Sequence, residues 1–208
     1  NGAAVTLFNG QGGEFTATLV ELGKRNGLAQ LGRRTPREAE APYAVTLAQG
    51  IAGGDKMDWL IEKAVELGVT QIVPLLTTKC VVRLTGERAL RRQAHWQGLV
   101  RAACEQCGRN RPPPVSAPRP LPEWLQDPAT GEGIRLVLDA MATAALRDLD
   151  KASRVVLLSG PEGGLTEDEI AAAVARGFMA VRLGPRTLRA ETAPLAAVAT
   201  LQSLWGDG

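Results

Sequence analysis

No stretch of this sequence is apolar for long enough to cross a bilayer. Even the run Pro194–Ala199 falls far below the roughly 20 residues a spanning helix needs. A basic-then-apolar leader is also missing from the start, so nothing points to secretion and a cytoplasmic protein is expected. Cysteine is scarce, with three in 208 residues, as in a reducing compartment and unlike a disulfide scaffold. No loop carries the lysine of a phosphate-binding G-x-x-x-x-G-K-[ST], and no G-x-G-x-x-G is present, so neither common nucleotide fingerprint applies. Internal repeats are absent. The initiating methionine is missing too. The chain opens at Asn1 directly into a strand-like run, so a truncated first domain is expected.

What is present reads as a globular protein, with 45% apolar and 22% charged residues. The net charge of +2 conceals an uneven distribution. Between Lys79 and Arg119 nine basic residues face only Glu87 and Glu105, a local charge of +7. Such a concentration suits a polyanion-binding face, with a solvated helix face as the alternative. Cys104 and Cys107 form a C-x-x-C at the end of a helical run, the wrong end for a dipole-activated redox pair. Cys80 and His95 could formally complete a zinc site, but their spacing matches no known finger or ribbon, and no metal is expected.

Residues 1–50 read as β. Ala4–Phe8 and Phe15–Leu22 flank Asn9-Gly10 and Gly12-Gly13, a hairpin signal. Leu28–Leu31 and Tyr43–Ala48 add strands around a charged loop with Arg33, Arg34 and Arg37. From residue 51 to 208 the pattern alternates. Asp55 can cap a helix striped by Met57, Leu60, Ile61, Ala64 and Leu67, and the apolar strand Gln71–Leu76 follows. A basic helix spans about Glu87–Cys104, and six prolines make Arg111–Pro122 an extended connector. Strands Ile134–Leu138, Val155–Leu158 and Met179–Leu183 then alternate with helices Glu167–Arg176 and Ala193–Leu204, which indicates a mostly parallel sheet covered on both faces. The last helix has so few polar residues that it must be buried on most sides, within the monomer or against a second subunit.

Two loops carry the chemistry. Ser159-Gly160-Pro161-Glu162-Gly163-Gly164 links a strand to a helix whose Thr166 and Glu169 are spaced as a capping box. Leu183-Gly184-Pro185-Arg186 follows the next strand. A right-handed crossover puts both at the carboxyl ends of parallel strands, where open α/β sheets bind ligands. The residues alone leave that ligand unidentified.

Four strings point further. GGDKMDWLIEKAVELGVTQIVPLLTTKCVVRL (Gly53–Leu84) resembles the opening of the catalytic domain in the bacterial RsmE family of small-subunit rRNA uridine-N3 methyltransferases, within the SPOUT superfamily. EQCGRNRPP (Glu105–Pro113) is similar to its arginine-containing loop. SGPEGGLTEDEI (Ser159–Ile170) and LGPRTLRAETAPLAAVATLQ (Leu183–Gln202) resemble its cofactor loops and terminal helix. The resemblance implies an α/β fold whose mostly parallel sheet is threaded into a trefoil knot, preceded by a PUA-like β-barrel, here incomplete, that binds RNA. It also implies a homodimer, S-adenosyl-L-methionine (SAM) as cofactor, and N3 of a uridine in small-subunit rRNA, free or in the assembled 30S subunit, as target.

Carried over by residue, the resemblance implies cofactor contacts at Leu158, Ser159, Gly160, Pro161, Glu162 and Gly163, and at Leu183, Gly184, Leu188 and Arg189. Leu138 and Met141 join them from the preceding strand end, and Thr192 and Ala193 through free N–H groups at a helix start. Arg109, Asn110 and Arg111 are candidates to hold the base, and Glu191 to act as general base. Lys56, Lys63, Lys79, Arg83, Arg91 and Arg92 are candidates to grip RNA phosphates. The alternatives are a SPOUT enzyme acting on a tRNA ribose and a non-catalytic RNA-binding or ribosome-assembly protein.

Overall fold

The structure is a computed structural model that describes residues 2–127 and 133–206. By packing the chain divides into two units: residues 1–40 with 104–112, and residues 41–103 with 113–208.

The first unit holds β1 (Ala4–Leu7), β2 (Glu14–Leu22) and β3 (Gly27–Thr35), antiparallel in that order. The β1–β2 turn rests on Gly10, Gly12 and Gly13, whose φ values of 85°, 90° and 70° only glycine adopts cheaply. Val5 pairs with Ala17, and Ala17 in turn with Leu31, so one face of the sheet is apolar. Arg33 and Arg34 belong to β3, not to a loop. Both side chains are exposed, so the strand accepts charge there, and Thr16 Oγ1 accepts the Arg33 N–H at 3.0 Å.

The second unit is a seven-stranded sheet, every pair parallel, in the order β6-β5-β4-β9-β7-β10-β8. The strands are β4 (Ala44–Gly50), β5 (Gln71–Leu76), β6 (Arg119–Pro120), β7 (Ile134–Leu138), β8 (Ala144–Ala145), β9 (Arg154–Ser159) and β10 (Met179–Arg182). The helices are α1 (Lys56–Glu66), α2 (Gly86–Cys107), α3 (Leu121–Trp124), α4 (Glu167–Ala175) and α5 (Thr192–Trp205). Adjacent residues of opposite pleat, such as Leu157 and Leu158, are both fully buried, as a sheet covered on two faces requires. On one face Ala48, Val156 and Leu158 pack with Trp124 and Phe178. Elsewhere α5 lies on α1 and β9.

The strand read at Tyr43–Ala48 therefore joins the large sheet, and the division by packing falls at residue 40 where the sequence pattern suggested 50. Strand propensity cannot say which sheet a strand enters. The C-x-x-C does end a helix, as read from the sequence, at the last turn of α2.

Candidate functional site

Strand register sets the site. Val137 pairs with Leu158, Val181 with Leu138, and Ser159 with Gln49, so β4, β7, β9 and β10 end side by side. Between the loops that leave β7, β9 and β10 lies a cavity of about 490 Å³, within the usual size range of small-molecule sites.

The first loop is drawn tight by its own backbone. Gly164 N–H donates to Pro161 C=O at 2.8 Å, and a Cβ on Gly160 would sit 2.8 Å from Gly164 C. A Cβ on Gly163 would sit 2.8 Å from the Lys79 Cβ. Bare backbone therefore lines this wall. Beneath it Gln49, fully buried, donates from Nε2 to Gly160 C=O at 2.9 Å and to Gly50 C=O at 2.8 Å. Glu162 Oε1 accepts from Gly53 N–H and from Lys56 Nζ, each at 3.0 Å, which ties the loop to the start of α1. The capping box predicted for α4 is present. Its Glu169 also accepts the Thr78 N–H at 2.7 Å, so one carboxylate anchors both helix and neighbouring loop.

The second loop turns at Gly184, with φ +120°, and runs into α5. Glu191 precedes that helix and lines the cavity, and its Oε2 is buried without a hydrogen-bond partner.

Most residues expected at the cofactor line the cavity: Leu138, the loop Ser159–Gly163, Leu183, Gly184, Leu188, Arg189 and Ala193. Three do not. Leu158 points into the core, because it alternates with Ser159 along β9. Met141 is 87% exposed: Asp139 Oδ1 accepts the Met141 N–H, and that local turn sends the side chain outward. Thr192 is exposed, and the N–H groups of Thr192 and Ala193 are not free, since both donate to Arg189 C=O. Sequence reading missed Asp139, Ala140 and Arg182. Asp139 directly follows a strand end, the signal that would have found it.

The catalytic candidates fall in different units. Glu191 is in the second, while Arg109, Asn110 and Arg111 are in the first. Arg109 is 3% exposed and forms a two-pronged pair with Glu40. Asn110 is also buried and donates from Nδ2 to Arg37 C=O at 2.6 Å. Arg111, half exposed, pairs with Glu38 at 2.8 Å, and its hydrogen bond holds that carboxyl below the usual range.

The proposed RNA grip is dispersed. Lys56 lines the cavity and pairs with Glu162; Lys63 pairs with Glu66 at 2.6 Å and Arg91 with Glu87 at 2.9 Å. Lys79 donates to Leu165 C=O at 3.4 Å, and Arg92 lies 5.6 Å from the centre of the Trp96 ring. Arg83 is exposed. Among the described residues no three His, Cys, Asp or Glu side chains gather as metal ligands, and no helix is long and apolar enough to cross a membrane.

A family model described as an RNA methyltransferase domain matches residues 39–202. A protein from Buchnera aphidicola named ribosomal RNA small subunit methyltransferase E is 33% identical over 97% of this chain and 82% of its own length. The chain belongs to that family. Solved structures of similar proteins agree. The ribosomal RNA small subunit methyltransferase E of Neisseria gonorrhoeae, bound to S-adenosyl methionine, is 42% identical with a TM-score of 0.91, covering 99% of this chain and 85% of its own. A Legionella pneumophila protein, in complex with the bound cofactor SAM, is 35% identical with a TM-score of 0.94, covering 100% and 85%. The α/β fold is shared with both of these structures.

Proposed function

We propose that this protein transfers the methyl group of SAM to N3 of a specific uridine in small-subunit rRNA. The observation that carries the reading is the cavity at the carboxyl ends of β7, β9 and β10, walled by two glycine loops, in a chain of this family.

The residues present fit the cofactor. The volume is adequate, and Gly160 and Gly163 let the loop fold closely onto Gly164 and Lys79, where any side chain would clash, so that its backbone lines the wall. The buried Oε2 of Glu191, without a partner among the described residues, is left for the reacting base. When bound, SAM supplies an electrophilic methyl on a sulfonium. The backbone at Ser159–Gly163 and Leu183–Arg189 then holds the ligand, and Leu138 gives it an apolar wall. Orientation of this kind can lower a barrier by several kcal/mol.

Uracil N3 carries a proton with a pKa near that of a lysine side chain, about 10.4, so the enzyme must remove it or stabilise the anion. Glu191 is our candidate to accept it. Arg111, the accessible member of its triplet, is our candidate to offset charge developing on the uracil carbonyls. Arg109 and Asn110, both buried, serve as positioning residues for that segment. The first unit, residues 1–40 with 104–112, contributes RNA binding, and the second is the catalytic domain, threaded as a trefoil knot. The protein works in the cytoplasm as a homodimer, and Ala199, Ser203 and Leu204 form an exposed stripe on α5 that a second subunit can cover.

Labelled SAM and small ribosomal subunits from a strain lacking the enzyme test this reading. The wild type incorporates label, and Glu191→Gln lowers the rate at saturating substrate while SAM affinity holds. Absence of both SAM binding and transfer would leave a binding protein on this fold.

A further inference from the structure

Three arginines stand at the mouth of the cavity. Arg182 ends β10, and Arg186 and Arg189 follow in the loop to α5; all three line the cavity and all are exposed. Among the described residues their guanidinium groups make no ion pair or hydrogen bond. Several other cations differ: Lys56, Lys63, Arg37, Arg91, Arg109, Arg111 and Arg119 each have a carboxylate within 4 Å. Three acids also line the cavity, but Glu162 is already engaged by Lys56, which leaves Asp139 and Glu191 against three unpaired arginines.

An excess of guanidinium at one rim calls for an anion with several charged groups. The carboxylate of the cofactor, a single planar group, is matched by one guanidinium fork. A polynucleotide offers more. A base can reach a cavity only when swung out of its stack, and the phosphates on either side must follow it to the mouth. Guanidinium forks match phosphate oxygens in geometry as well as charge.

We propose that Arg182 and Arg186, with Arg189 beside them, form a phosphate-binding rim that seats the RNA backbone flanking the target base. This rests on the RNA methyltransferase reading and locates strand recognition on the β10–α5 loop. The basic helix α2 then serves general attraction, while the rim sets which nucleotide meets the cavity.

The test compares the full-length wild type with R182A/R186A, reading affinity for small-subunit rRNA by filter binding over a range of salt and SAM affinity by calorimetry. We expect RNA binding about tenfold weaker or worse, and a slope of log affinity against log salt shallower by about 0.7 for each arginine removed. SAM affinity stays unchanged, and R182K/R186K recovers most of the slope. An unaltered RNA affinity and slope overturns the rim, and so does a loss of SAM affinity with RNA binding intact, which would assign the arginines to the cofactor. RNA affinity is read without turnover, so the two readings fail separately. A wild type that binds RNA but transfers no methyl contradicts the methyltransferase reading alone.

Discussion

At Gly160 a single methyl group separates a working loop from a displaced one. The added Cβ of Gly160→Ala would meet Gly164 C and Leu165 N at 2.8 Å, both backbone, so the loop itself must shift. Overpacking of this kind costs about 1–3 kcal/mol, so SAM affinity should fall roughly ten- to a hundredfold while the far-ultraviolet spectrum is unchanged. Calorimetry on the variant checks this; wild-type affinity would place the ligand elsewhere. Glu162 responds to pH. Burial pushes its carboxyl up, but hydrogen bonds from its own amide, Lys56 and Gly53 outweigh that and hold it below the ordinary value of 4.5. The depressed value means that the tie to α1 is intact above the ordinary glutamate range and is lost as pH falls through the folded value. Both partners are about a third exposed or more, so the pair contributes at most about 1 kcal/mol. The Tm gap between wild type and Glu162→Gln should therefore be small at neutral pH and close below 4.5; a gap that widens on acidification contradicts the assignment. Cys104 carries a different message. Burial pushes its thiol up to about 11, so it should resist alkylation at pH 8 in the native protein, and ready labelling would revive a redox role.

Elements show which parts of the fold a sequence can disclose. Strands β5, β7 and β9 are legible because apolar residues dominate each, and the α4 capping box because its two residues are three apart. Thr166→Ala should cost about 1 kcal/mol, a Tm drop of about 2–4 °C. Glu169→Ala should cost more, about 2 kcal/mol, because it also strips the Thr78 N–H of its acceptor. Equal losses in thermal melts of the two variants would deny Glu169 its second role. Other features leave no local trace. Strand β8 has two residues and no period to read. Residues 104–112 join the first unit through pairs such as Arg109–Glu40 and Arg111–Glu38, about seventy positions apart, which no window of sequence reveals. At the cavity the glycines and loop order are legible. Met141 misleads, because one hydrogen bond from its amide to Asp139 decides where its side chain points.

Over the whole molecule, charge and ligand binding give the clearest readouts. The basic span from Lys79 to Arg119 survives as a charge excess, yet several of its side chains, Arg91, Arg109, Arg111 and Arg119 among them, are held in ion pairs. Counting cations in sequence therefore overstates how many remain available to RNA. A ligand that binds only the folded chain stabilises it by about 2.7 kcal/mol at a hundred times its Kd, so SAM at that excess should raise Tm by several degrees. No shift would mean that the glycine loops hold nothing. Methylation at N3 makes a sharper demand, on the atom that receives the methyl group. Its most direct test is to digest small-subunit rRNA after reaction with the full-length protein and labelled SAM, then identify the labelled nucleoside. Label is expected in N3-methyluridine, at one site in the RNA. Label on a ribose hydroxyl or on another base would contradict it, and would remove the need for a group such as Glu191 to take a proton from N3.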